Sequence, residues 1–167
     1  MVHSLYLIRH AIAAERGPEW PDDSRRPLTK RGESRMRRVV DGFARLDQPV
    51  DVILTSPFTR AFDTAKIVAA GLEGPPRIRT LQALVPGEAP ERVPTAVAKA
   101  APRERHVALV GHEPGLGHLA AWLIGATAPL PFKKGGICRI DVDHWPADQS
   151  GRLIWFATPK ILRPRSD

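Results

Sequence analysis

Leu5-Tyr6-Leu7-Ile8-Arg9-His10 is the stretch on which the reading of this chain turns. An unbroken apolar run that stops at two polar side chains predicts a buried strand with a chemically equipped end. The pattern recurs twice. Val52-Ile53-Leu54 runs into Thr55-Ser56-Pro57-Phe58-Thr59-Arg60, and Val107-Ala108-Leu109-Val110 runs into Gly111-His112-Glu113-Pro114-Gly115. Strands without apolar/polar alternation are covered on both faces, as in parallel sheets.

Helical patterns lie between these strands. Thr29 reads as the N-cap of a helix carrying Met36, Val39, Val40, Phe43 and Leu46, which Pro49 ends. A second helix is predicted over residues 59–70, with Gly71 behind it as C-cap. Residues 78–84 read as a third strand or an extended piece. Pro90 suits the first turn of a helix running towards Ala101, which Pro94 makes irregular or delays. Leu116, Leu119, Ala120 and Leu123 mark a further amphipathic helix. Residues 135–142 and 153–157 read as closing antiparallel strands, and 159–167 as a basic tail. The alternation predicts an α/β protein, a three-layer α/β/α sandwich whose central sheet is mostly parallel with an antiparallel edge. Such sheets bind ligands beyond the carboxyl ends of their strands, where the polar motifs stand.

The length of 167 residues suits one domain over 1–167, large enough to bury a core without a disulfide or metal staple. Cys138 is the only cysteine, so neither an internal disulfide nor a thiolate zinc cluster is available. No apolar run approaches the roughly 18 residues of a membrane span, and a cytoplasmic protein that does not engage the membrane is expected. Lys and Arg number 25 against 18 Asp and Glu, a net charge of +7. That balance favours anionic partners without choosing among phosphates, nucleic acid and acidic protein faces.

Arg9-His10 has two readings: a polar strand terminus, or a nucleophilic imidazole beside a guanidinium that can fork two phosphate oxygens. Ser56 to Arg60 stand where a strand gives way to a helix, a place that favours anions. Arg60, in the first helical turn, opposes the helix dipole unless an anion lies nearby; otherwise it is a solvated surface arginine. His112, on a tight turn, is either a structural hydrogen-bonder or a donor to a phosphoryl oxygen. Two histidines and two arginines gathered at strand ends would make one phosphate-sized pocket. His3, His106, His118 and His144 are scattered, so no metal and no cofactor is expected.

With these residues in view, the chain resembles the histidine phosphatase superfamily, also called phosphoglycerate mutase-like. The nearer likeness is to its small bacterial phosphohistidine phosphatases of the SixA type. The likeness covers nearly the whole chain. It takes in Leu5 to His10, Arg26-Pro27-Leu28-Thr29-Lys30-Arg31-Gly32, Ser56-Pro57-Phe58-Thr59-Arg60-Ala61 with Thr64, Gly111 to Gly115, Lys133-Lys134-Gly135-Gly136 and Pro159 to Arg163. The short loop before Val107, with no cap insertion, favours the small branch.

The resemblance implies that His10 accepts the phosphoryl group, that Arg9 and Arg60 clamp its oxygens, and that His112 hydrogen-bonds them. It places Arg26 near the phosphate and Asp23 and Ser24 along the pocket. It implies hydrolysis through a covalent phosphohistidine, with a phosphorylated protein, such as a histidine-phosphorylated signalling domain, as partner. A small phosphate ester or a polyphosphate is the alternative substrate within the superfamily. A non-catalytic phosphate- or nucleic-acid-binding module is the alternative outside it, although no interleaved aromatics or zinc motif supports nucleic acid. The chain departs from the family at Ala11, where Gly is usual, and at Glu113, where Asn is common. The carboxylate that larger members carry after the third strand has no clear counterpart; Glu88 is the nearest, and the small branch manages without one.

Overall fold

Those apolar runs lie side by side. The computed structural model describes residues 1–164. Along the chain come β1 (His3–Arg9), α1 (Lys30–Ala44), β2 (Val52–Thr55), α2 (Thr59–Ala70), β3 (Arg77–Thr80), α3 (Val93–Ala100), β4 (His106–Gly111), α4 (Gly115–Leu123), β5 (Ile137–Val142), β6 (Arg152–Ala157) and α5 (Pro159–Leu162). The strands form one six-stranded sheet in the order β3-β2-β4-β1-β5-β6. β1, β4, β2 and β3 are parallel, and β5 and β6 close the sheet antiparallel.

Each apolar run serves both faces, because side chains alternate along a strand. Leu5, Leu7, Leu54, Val107 and Leu109 pack with Val93 and Val97 of α3 and with Leu116 and Leu119 of α4. Tyr6, Ile8, Ile53, Ala108 and Val110 pack instead with Met36, Val39 and Phe43 of α1, Ala61 and Val68 of α2, and Leu162 of α5. The sheet is thus buried between two helical layers, as the continuous apolar runs require.

The strand order positions the site. β4 enters between β1 and β2, in register with both: Arg9 faces Gly111 and Thr55 faces Val110. Backbone bonds carry the pairing one step past the strands, from His10 N to Gly111 O (3.0 Å) and from Ser56 N to Val110 O (3.0 Å). His10, Ser56 and His112 therefore emerge together.

Local chemistry sets the element ends. The Thr29 side chain accepts from Gly32 N at 2.9 Å, the expected N-cap. A Cβ on Gly32 would collide with the Ile12 carbonyl, so only glycine lets α1 start against the loop that follows β1. Pro90 opens a 3-10 turn over Pro90–Arg92 before α3, in which Pro94 falls in the first turn.

Three boundaries differ from expectation. α1 ends at Ala44, five residues before Pro49, and leaves Leu46 outside the helix and exposed. β3 ends at Thr80, and Gln82–Leu84 turn as a 3-10 helix that buries Leu84. The segment after Pro159 is not simply a tail: it forms the one-turn α5, and Leu162 packs so closely on α1 that a Cβ on Gly42 would strike its carbonyl. The end of that expected tail, residues 165–167, lies outside the described residues. Among the described residues no helix is long and apolar enough to cross a membrane.

Candidate active site

A cavity of about 350 Å³ opens beyond the carboxyl ends of β1, β2 and β4. Arg9, His10, Arg26, Arg60 and His112 all line it. His10 and His112, more than a hundred residues apart, bring their ring centroids to 5.1 Å.

His10 is buried, with 6% of its surface exposed. Its Nδ1 lies 2.7 Å from the carbonyl of Ala11. A carbonyl only accepts, so Nδ1 carries the proton and Nε2 keeps its lone pair. Burial lowers the His10 pKa from 6.5 to about 4, and the charges of Arg60, Arg9 and Arg26 push in the same direction against the bond to Ala11. The imidazole is neutral at neutral pH, the form a nitrogen nucleophile needs. Ala11, the first departure from the family, is accommodated: its φ is not positive, and its N–H donates to Thr64 Oγ1 at 3.0 Å.

His112 Nε2 lies 2.9 Å from Ser56 Oγ, which also accepts from Phe58 N at 3.3 Å. The hydroxyl can pair with Nε2 in either tautomer; in the one where it donates to Nε2, the ring N–H of His112 lies on Nδ1. That Nδ1 is buried and has no partner among the described residues; the same holds for Nε of Arg9 and Nε of Arg60. Two buried guanidinium N–H groups and an imidazole nitrogen without protein partners, in residues around one cavity, fit a multi-oxygen anion. Burial, followed by the proximity of His10 and Arg60, lowers the His112 pKa to about 3.

Asp23 organises the guanidinium groups. Its Oδ1 accepts from Arg26 Nε at 2.9 Å, its Oδ2 from Arg60 at 3.0 Å, and its backbone carbonyl from Arg60 at 2.8 Å. This carboxylate is the anion that makes Arg60 tolerable in the first turn of α2. Burial opposes ionisation of Asp23, but the bonds and charges of Arg26 and Arg60 prevail and hold its pKa below the ordinary value. Arg26 also donates to Ala14 O at 2.6 Å. Arg9 is anchored by a 2.6 Å bond to Phe132 O. Asp23, its side chain 38% exposed, thus takes both terminal nitrogens of Arg60 and is not among the lining residues. Ser24 donates its hydroxyl to Asp22 Oδ1 at 2.6 Å and is not among the lining residues.

Glu113, the second departure, spends its carboxylate on the backbone. Oε1 accepts from Phe132 N at 2.7 Å and Oε2 from Gly117 N at 2.9 Å. It ties the start of α4 to the segment that anchors Arg9. Glu88 lies 3.3 Å from Arg92 and lines a separate apolar hollow beside His112.

Sequence reasoning gave no role to Arg16, Lys134 or Ser56. Arg16 and Lys134 line the cavity, and Ser56 orients His112. Lys134 had a signal, a lysine pair before a glycine pair. Gly135, at φ 80°, bonds to the Arg9 and His10 carbonyls and carries the lysine to the strand end.

Residues 5–85 match the model of the histidine phosphatase superfamily (branch 1). An uncharacterized protein of Picosynechococcus sp. is 37% identical over 165 residues, 96% of this chain and 99% of that one. The chain belongs to the histidine phosphatase superfamily. Phosphohistidine phosphatase SixA of Escherichia coli is 27% identical over 162 residues, 95% of this chain and 96% of SixA. A structure of the protein histidine phosphatase SixA complexed with tungstate superposes with a TM-score of 0.81 at 26% identity, covering 94% of this chain and 97% of that one. This member of the superfamily is SixA-like, and it is a phosphatase.

Proposed function

We propose that this chain is a single histidine phosphatase domain that hydrolyses protein-borne phosphohistidine through a phosphoryl group carried on His10. One observation supports the nucleophile above the rest: Nδ1 of His10 is engaged by the Ala11 carbonyl, and Nε2 is left basic at the cavity wall. In the first step Nε2 attacks phosphorus in line. The substrate imidazole, protonated from solvent on its other ring nitrogen, keeps the electron pair as its bond to phosphorus breaks and leaves as a neutral ring. Water then attacks the phosphorus held on His10 and gives up a proton to solvent, the bond to Nε2 breaks with its electron pair returning to Nε2, and inorganic phosphate leaves. Arg9, Arg60 and Nδ1 of His112 hold the equatorial oxygens, where phosphoryl-transfer catalysis chiefly acts. Arg26 and Lys134 add positive charge at the cavity wall. Tungstate, bound by a SixA structure, is a tetrahedral oxyanion of the kind such a cavity suits.

The leaving group argues for a phosphorus–nitrogen bond. An alkoxide needs a positioned acid, whereas a protonated imidazole departs as a neutral ring. Of the carboxylates lining the cavity, Glu113 is held by the amides of Phe132 and Gly117, and Glu15 is exposed. Neither is a buried acid poised on a leaving oxygen.

The experiment traps the intermediate with a protein labelled with ³²P on histidine. The label should move to the chain in an acid-labile, base-stable form and be absent with His10→Ala. Undiminished turnover by His10→Ala would remove the assignment. Parallel assays on phosphoserine peptide, sugar phosphate and polyphosphate decide the substrate class; a preference for any of them would overturn the phosphohistidine reading.

A further inference from the structure

A second hollow, of about 590 Å³, shares Arg9 and Lys134 with the catalytic cavity as a common wall. Arg35 of α1, Lys133 before β5, and Lys160 and Arg163 at α5 complete its charged rim. Its floor is apolar, with Ile12, Met36, Val39 and Pro159. Among the described residues no Asp or Glu lines it.

Some cations elsewhere sit against carboxylates: Arg37 by Glu33, Lys66 by Asp63, Arg92 by Glu88, Arg152 by Asp143. Arg35, Lys133, Lys134, Lys160 and Arg163 form no ion pair among the described residues. Helix α1 divides its charges accordingly. Glu33, Arg37 and Asp41 share a hollow with Asp63 and Lys66 of α2, while Arg35 turns to α5. Partial burial, with Arg35, Arg38 and Arg31 nearby, lowers the Arg163 pKa, a sign that the cations repel one another. Self-repulsion of this kind is a cost to the fold that an anionic partner relieves.

We propose that this hollow docks an acidic segment of the substrate protein, next to the phosphorylated residue that enters the catalytic cavity. The proposal rests on the phosphatase reading and names the class of partner. The rim matches carboxylates in charge, and the floor accepts their methylene stems and adjoining apolar side chains. No aromatic side chain lines the hollow, so it offers no stacking platform for nucleobases. The shared wall of Arg9 and Lys134 makes docking and phosphoryl entry one continuous contact.

The test uses two synthetic peptides carrying one phosphohistidine each, flanked by glutamates in one and by glutamines in the other. The glutamate peptide should show a KM lower by about tenfold, as several exposed charge pairs provide together, and the advantage should fade at high salt. Arg35→Glu with Lys160→Glu should bring the ratio of the two peptides to about one, and the milder Arg35→Gln with Lys160→Gln should fall between. Equal KM values in the unaltered chain, or a preference surviving the charge reversals, would overturn the proposal.

Fluorescence anisotropy of the same peptides without phosphate separates this proposal from the phosphatase reading. If neither peptide is hydrolysed but the glutamate peptide binds and loses binding in the charge-reversed variant, the hollow stands and the substrate reading falls. If both peptides bind alike, or polyphosphate or RNA binds and the glutamate peptide does not, the docking surface falls.

Discussion

Ser56 Oγ lies 2.9 Å from His112 Nε2, joining the end of β2 to the end of β4. Ser56 is a positioning residue that acts through His112. Ser56→Ala should lower kcat by about tenfold with little change in KM, the worth of one buried hydrogen bond realised in the transition state. Imidazole ¹⁵N spectra should show Nδ1–H on His112 in the unaltered chain and mixed tautomers in the variant. An unmixed tautomer in the variant would show that the serine does not select it.

Asp23 holds Arg26 and Arg60 and also competes for the charge that an incoming anion needs. Asp23→Asn should divide these effects. Product phosphate should inhibit more strongly, by a few-fold, because a nearby negative charge is gone. Turnover should fall by roughly tenfold, because an amide oxygen cannot hold both guanidinium groups in place. Steady-state kinetics with phosphate as inhibitor measures both; weaker inhibition together with unchanged kcat would contradict the arrangement.

His10 and His112 titrate at about 4 and about 3 in the fold, against 6.5 for an ordinary histidine. Between these values and 6.5 the unfolded chain binds more protons than the folded one, so stability rises with pH across this window. It is present at neutral pH and is lost as pH falls from 6.5 towards 4. Denaturant midpoints should drop between pH 7 and pH 4.5, and drop less in the His10→Gln/His112→Gln double variant. Identical pH dependence in the two proteins would refute the neutral-imidazole assignment.

Glu113 accepts from two backbone amides, a task that an amide side chain can only half perform. Glu113→Gln turns an NH₂ towards one of those donors and should cost about 1–2 kcal/mol of stability. The Arg9 anchor at Phe132 should loosen with it, raising KM for phosphoryl substrates. Calorimetry beside a KM measurement checks the pair of effects; an unchanged Tm would show that the two amides find other acceptors.

Much of this was already local in the chain. The apolar runs at Ile8, Ile53 and Leu109, the Thr29 cap and the polar motifs at strand ends are short-range patterns. Short-range patterns decide whether a segment becomes strand or helix, and which side chains stand at its end. They therefore carried the α/β class and the convergence of His10, Arg60 and His112.

Tertiary structure alone decided which partner each polar group took. Asp23, which the resemblance put along the pocket, became the carboxylate paired with Arg26 and Arg60. Glu113 read as a departure from the usual Asn and turned to the amides of Phe132 and Gly117. Residues 159–164 read as part of a tail, yet α5 packed on α1 and closed a cationic hollow. These outcomes depend on β4 entering between β1 and β2 and on close backbone contacts at Gly32 and Gly42. A hydrogen bond or ion pair is chosen by distance in space, and separation along the chain does not encode it.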